Sequence, residues 1–296
     1  MPLPAASPTL RRRELGRRLR ELRLAQGLTV EQVAAHLLCS PSKVSRMETG
    51  QRGATRRDVR DLCDLYGVTQ AASREHMMEL ATEGKQPGWW TSYDLNRFAV
   101  YVGLETAAVG LAYYKALTMP GLLQTEDYAR AMNRTVIPGL TPEQIEENVE
   151  VKLKRQQRLT GVPILSVRAV IDEAVLRRVV GGPRVMAGQL GRLVELVRSP
   201  EADVTIQVIP FGVGAHAAME STFNLLEFPN PEPSVVYVEG LAGWIYFDRP
   251  EDISRYKRIF DHLQAIALSP AESIALVARL GEEYKRMKWA EVPQER

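Results

Sequence analysis

The sequence predicts two domains of different class, an all-α part over residues 9–84 and a mixed α/β part over residues 93–290. Three observations carry this. Up to Glu83 apolar residues recur at helical spacing behind cap residues, whereas after Tyr93 β-branched, alternating runs interleave with helical ones. The segment GKQPGWW, residues 84–90, gathers two glycines and a proline, so residues 85–92 read as a linker. Charge divides at the same place: residues 1–85 hold 15 Lys and Arg against 10 Asp and Glu, and the rest hold 23 against 26. A chain of 296 residues that is 45% hydrophobic can bury a core in each part.

MPLPAASP, residues 1–8, has three prolines and reads as a flexible arm. Thr9 is the expected cap of the first helix, which sets Arg11, Arg12, Arg13, Arg17, Arg18, Arg20 and Arg23 around Leu15, Leu19 and Leu22. Some of these arginines can meet phosphates; others simply face water. Residues 28–50 read as two short helices joined by a tight turn. Thr29 caps the first, with Val33, Ala34 and Leu37 on one face, and Ser40 followed by Pro41 opens the second. Val44 and Met47 point inward at i, i+3 spacing, which leaves Ser42, Lys43, Ser45 and Arg46 on the wet side. GQRGAT is a turn, Thr55 caps a helix through Tyr66, and Thr69 or Gln70 begins a fifth helix to about Glu83.

The run RLRELRLAQGLT, the spacing of Ala34 and Leu37, and SPSKVSRMETG resemble the XRE or lambda-repressor class of helix-turn-helix regulators. The resemblance implies that residues 41–48 are a recognition helix entering a DNA major groove. Residue by residue it places Ser42, Lys43 and Arg46 at base-reading positions, where Arg46 can take guanine bidentately and Lys43 can reach a base or a phosphate. It pairs Glu48 with Arg23 inside the fold. Ser45 borders the same surface, and Arg52, Arg56 and Arg57 form a second, phosphate-facing candidate group at the next helix start. Where many relatives carry a glutamine after the cap, this chain has Val30, which puts a phosphate contact there in doubt. The alternative reading of the same residues is a solvated helical hairpin, against which the cap spacing, the turn length and the surrounding five-helix pattern agree.

In the second part a tryptophan pair, Trp89 and Trp90, reads as a docking patch, a ligand wall or the edge of the next core. Leu95–Leu104 is expected helical and residues 107–118 a strand. Helices follow behind Thr125 and behind Thr141, the latter with Pro142 and Gln144. Strands are expected at 163–172, 203–210, TFNLLEF, SVVYVEG and GWIYF, with helices at 173–180 and 184–198 and two closing helices behind serine or acidic caps. PGLLQTEDYARA, Arg155–Gln157, DEAVLRRVVGG, VMAGQLGRLVEL, IQVIP and VVYVE resemble the large C-terminal domain of actinobacterial WhiJ-like and Scr antitoxin-like regulators. That resemblance implies a domain without established catalysis whose members often bind a small protein encoded beside them.

Enzymatic alternatives rest on Asp172 and Glu173 after a strand, and on His216 with Glu220 behind IQVIP. The acids read alternatively as first-turn residues that complement a helix dipole. No HExxH, GxSxG, GxGxxG or GxxxxGKS pattern accompanies them, and the loop FGVGAH lacks the lysine of a phosphate loop. Cys39 and Cys63, both expected within helices, read as ordinary core residues, so neither a metal nor a cofactor is expected. No signal-type apolar core and no stretch of about 18 apolar residues occurs. The expectation is therefore a non-enzymatic, cytoplasmic, nucleoid-associated regulator, a repressor by preference. It binds double-stranded DNA as a homodimer, and its second domain dimerises or receives a small protein partner or ligand; the alternative is a DNA-tethered enzyme.

Overall fold

The computed structural model describes residues 7–95, 98–229, 232–240 and 243–287, and these form two compact units that meet at Ala107/Ala108. The first unit is helical: α1 Pro8–Ala25, α2 Val30–His36, α3 Pro41–Glu48, α4 Arg56–Leu65, α5 Ala71–Glu83 and α6 Phe98–Ala107. Its core is the apolar stripe that helical spacing places inward: Leu15 and Leu19 of α1, Val33, Val44, Met47, Val59, Leu62, Met77 and Leu80. Ser7, not Thr9, caps α1, its Oγ accepting from the Thr9 N–H; Pro8 takes the first helical position, where a missing N–H costs nothing. Of the expected arm, residues 1–6 lie outside the described residues, as do residues 291–296.

Where a linker is expected, Trp89–Ser92 forms a short 3-10 turn and Trp90 is buried. A Cβ added to Gly103 of α6 would sit 2.1 Å from Thr9 Oγ1 and 2.8 Å from the Trp90 ring, and Ser7 Oγ donates to the Gly103 carbonyl at 2.8 Å. These contacts bring α6 onto α1, so the first unit runs on to Ala107. Asn96 and Arg97, within the expected helix, are not among the described residues.

The second unit is a mixed α/β domain on one six-stranded sheet of order β3-β2-β1-β4-β5-β6. The strands are β1 Gly110–Lys115, β2 Ser166–Asp172, β3 Val204–Ile209, β4 Phe223–Glu227, β5 Val235–Gly240 and β6 Gly243–Phe247. β1, β2 and β3 run parallel, and β4, β5 and β6 continue antiparallel from β1. Parallel neighbours need crossovers: α7 Glu126–Val136 and α8 Pro142–Gln156 join β1 to β2, and α9 Glu173–Arg177 and α10 Pro183–Arg198 join β2 to β3. One sheet face, with Ala112, Tyr114, Val170, Phe223, Leu225 and Val236, is buried under α11 Pro250–Ile266 through Ile253, Phe260 and Leu263.

The exposed edge of β3 is covered by the junction of α11 with α12 Pro270–Arg286. Val208 N–H donates to Ser273 Oγ at 3.0 Å and its carbonyl accepts from Leu268 N–H at 2.9 Å, which satisfies groups a bare edge would present to another chain. Ser269 caps α12 with Glu272 in a capping box, but Arg249 precedes α11 without a side-chain cap, against the expected acid. Among the described residues no single helix is long and apolar enough to cross a membrane; α11 and α12 pass together by composition but bend by 68°.

Candidate nucleic-acid interface

Two capped helices build the candidate interface. Thr29 Oγ1 accepts from Gln32 N–H while Gln32 Oε1 accepts from Thr29 N–H, so α2 starts on a reciprocal box. Val30 packs against the core, which turns it away from any phosphate. The chain then turns through Leu38 at φ 51°, a conformation L residues rarely adopt, with the residue 94% exposed. Cys39 lies in this turn rather than in a helix. Ser40 Oγ accepts from Lys43 N–H at 3.2 Å and opens α3.

Along α3, Val44, Met47 and Glu48 are buried, while Ser42, Ser45, Arg46 and Thr49 stand in solvent. The helix is seated from below by α1. A Cβ at Gly16 would lie 2.4 Å from the Met47 carbonyl oxygen and 2.6 Å from that of Glu48, so only glycine permits this crossing. Seven residues on, Arg23 Nε and Nη2 donate to the two Glu48 carboxylate oxygens at 2.6 and 2.8 Å, and Nη1 donates to the Leu28 carbonyl at 2.8 Å. The bond to Glu48 holds the guanidinium even more firmly protonated than usual, against the opposing effect of burial. One buried fork thus fixes α1, the α1–α2 loop and the end of α3 in one frame.

Arg46 lies back along α3, its Nε donating to the Ser42 carbonyl at 3.2 Å. The residue is exposed and neither terminal nitrogen makes a hydrogen bond among the described residues, which leaves the pair a guanine edge accepts. Arg52 follows directly: its N–H donates to the Arg46 carbonyl at 2.9 Å and its side chain is exposed. Lys43 is engaged elsewhere, because Nζ donates to Asp58 Oδ1 at 2.7 Å. Asp58 also closes the α4 capping box through Thr55, accepting from its N–H at 2.9 Å. Burial pushes the Asp58 carboxyl up, but the Lys43 and Thr55 bonds outweigh it and hold it below the usual carboxylate range. Sequence spacing gave no sign of the Lys43–Asp58 contact, although Thr55 with an acid three residues on is a readable box.

The other basic residues divide. Arg57 is 83% exposed on its side chain and only loosely paired with Asp61 at 3.7 Å, while Arg56 turns toward α5 and meets Glu75 at 3.4 Å. On α1 much of the positive charge is spent internally: Arg11 on Glu14 and Glu83, Arg17 on Glu21, Arg18 on Glu14. The exposed hydroxyls of Ser42 and Ser45 with the Arg46, Arg52 and Arg57 guanidinium groups form a surface able to donate to base edges and phosphates, whereas the Thr49 hydroxyl donates back to the Ser45 carbonyl at 3.0 Å.

The candidate catalytic residues are built into local structure. Asp172 Oδ1 caps α9, accepting from Ala174 N–H at 2.8 Å. Glu173 accepts from Arg177 Nε at 2.5 Å and from Phe211 N–H at 3.0 Å. His216 accepts at Nδ1 from Ala218 N–H, which places the proton of the neutral ring on Nε2, 3.3 Å from the Tyr114 hydroxyl. Cys39 and Cys63 are free thiols, and no group of metal-ligating side chains gathers among the described residues.

Two family models match the chain: a helix-turn-helix domain over residues 14–77, and a domain of unknown function (DUF5753) over residues 98–279. No curated protein and no solved structure matches it. The helix-turn-helix match covers the surface just described and supports a DNA-binding regulator. Because the second match spans more than half of its length, the chain belongs to the family of proteins carrying the domain of unknown function DUF5753, here behind a helix-turn-helix domain.

Proposed function

We propose that this protein is a sequence-specific transcriptional repressor of the XRE class, related to the WhiJ-like and Scr antitoxin-like regulators. α3 reads bases through Arg46 with Ser42 and Ser45, and Arg52 and Arg57 hold phosphates. Lys43 supports the reading helix through Asp58 and exchanges that carboxylate for a phosphate only where one approaches. The observation that carries this is the polar, solvent-facing side of α3 held on a rigid seat at Gly16, Arg23 and Glu48. A reading helix must hold its side chains at fixed register to discriminate bases, and a seat of this kind provides that. The protein acts in the cytoplasm as a two-fold dimer, since paired half-sites double the contacts. Its second domain dimerises or receives a small protein partner or ligand.

Fluorescence anisotropy of the full chain against DNA from the protein's own upstream region, at two salt concentrations, tests this. A preference of at least about 1000-fold over scrambled DNA, of the order that separates specific from non-specific binding, is expected, together with a steep loss on raising salt. Equal binding to both sequences would refute specific regulation. As a DNA-tethered enzyme the protein would need a free acid or base. Asp172 and Glu173 are held in structural bonds at the start of α9, which favours the regulator.

A further inference from the structure

The two edges of the sheet end differently. At β3 the Val208 N–H and carbonyl are taken up by Ser273 and Leu268, so that edge is closed. At the other edge stands β6, whose sequence GWIYF carries no charge and no proline. Its register with β5 runs without a bulge from Gly240↔Gly243 to Val236↔Phe247. Lysine, proline, bulges and covering segments are the devices by which proteins blunt an edge that would otherwise pair with another chain. β6 carries none of the first three, and among the described residues no main-chain hydrogen bond outside the β5 ladder reaches Trp244 or Ile245.

Side chains along β6 alternate across the sheet. Gly243, Ile245 and Phe247 share the face that α11 covers, where Phe247 and Val238 pack against the core and the Phe247 ring lies 5.6 Å from that of Tyr256. Ile245, opposite Val238, is not drawn in and is 58% exposed. An apolar β-branched side chain at the centre of an outer strand is a good cross-strand partner and a poor solvent-facing one. Gly243 has open space where a Cβ would stand. On the other face Trp244 and Tyr246 lie beside Tyr237, with ring centroids 6.5 and 5.3 Å from its own.

This edge is complementary to itself. A two-fold axis through Ile245, normal to the sheet, sets two β6 strands antiparallel and continues the antiparallel order of β4, β5 and β6. Ile245 then meets Ile245 of the partner subunit, and Trp244 meets Tyr246 of the partner subunit. Phe247 of the partner subunit lies over the open Cα of Gly243, an arrangement that protects a strand glycine. No charge faces a like charge, because the strand has none. We propose that the second domain dimerises through β6, which pairs antiparallel with β6 of a second copy so that the two sheets become one. The pairing uses main-chain groups and leaves the side chains of the strand packed as they are against Tyr237 and α11. It rests on the reading of the second domain as a dimerising one and gives that reading a surface.

Sedimentation equilibrium and disulfide trapping of the full chain, without DNA, test this. Edges of five residues bury less than the about 1,200–2,000 Å² of a standard interface, so a dimer that dissociates on dilution is expected. Ile245→Lys sets two ammonium groups opposite each other and is expected to raise the dimer dissociation constant at least about tenfold, with circular dichroism unchanged. Directly opposed residues of antiparallel strands have Cα atoms about 4.5–5.5 Å apart, within reach of a disulfide. Ile245→Cys in a Cys39→Ser background, where the remaining native thiol, Cys63, is buried, is therefore expected to cross-link two chains on mild oxidation. Glu201→Cys in the same background, ahead of β3 at the closed edge, is expected not to. A dimer that survives Ile245→Lys, or that fails to cross-link at position 245, overturns the edge assignment and leaves dimerisation to another surface. A native chain that is monomeric at every concentration overturns both the assignment and the dimerising reading, and marks the edge for a strand of a different protein.

Discussion

Arg23 and Glu48, 25 residues apart, meet through two bonds of 2.6 and 2.8 Å in the interior of the first unit, and the third donor of the fork satisfies the Leu28 carbonyl. Removing one partner strands a buried charge. Glu48→Ala is expected to cost about 3–5 kcal/mol, whereas replacing both residues by apolar ones of similar volume recovers most of it. Urea unfolding of the full chain, followed by a signal from the first unit, measures both; a loss below about 1 kcal/mol for Glu48→Ala contradicts the role assigned to the pair.

Gly16→Ala separates propensity from packing. In an open helix the change stabilises by up to about 1 kcal/mol, but here the new methyl meets the Met47 and Glu48 carbonyl oxygens. A net loss of about 1–3 kcal/mol is expected, together with weaker DNA binding as α3 is displaced. A raised melting temperature would show that α1 does not touch α3 there.

Leu38 bears the reverse signature: a side chain in solvent on a backbone at φ 51°. Leu38→Asn relieves the left-handed strain without losing packing and is expected to stabilise by about 0.5–1 kcal/mol. Denaturant midpoints decide it, and a destabilised variant would mean that Leu38 is covered in solution.

Lys152 gives the second domain a pH dependence of definite sign. Its folded-state value, about 8, lies below the ordinary 10.5, so between these the unfolded chain holds a proton the folded chain does not. Stability therefore rises as pH increases from about 8 to about 9.5, and the slope is reduced in Lys152→Met. Burial is the main cause of this low value; Arg155 adds to it and Glu239 opposes it. A midpoint that falls over this range in the native chain, or a slope unchanged in the variant, runs against the assignment.

Much of this architecture is legible in the chain because its signals are local. Thr29, Ser40, Thr55, Thr125, Thr141 and Ser269 each announce a helix, and the alternation in VTIQVI and FNLLE announces strands. The all-α and mixed α/β classes follow from where that periodicity changes. What escapes is set by distance along the chain. The Lys43–Asp58 bond joins residues of two helices and occupies an ammonium that the motif alone assigns to DNA. The extension of the first unit to Ala107 depends on Trp90, Thr9 and Gly103 meeting, and no periodicity encodes such a meeting.

The most direct measurement is the affinity of Arg46→Ala, shown by circular dichroism to be folded, for the preferred upstream DNA and for that site with single base changes. A loss of about 1–3 kcal/mol at the native site, with discrimination abolished at one base pair and retained at the others, is expected if α3 reads the major groove through this guanidinium. Unchanged affinity and unchanged discrimination would remove α3 from the DNA and with it the assignment of the interface.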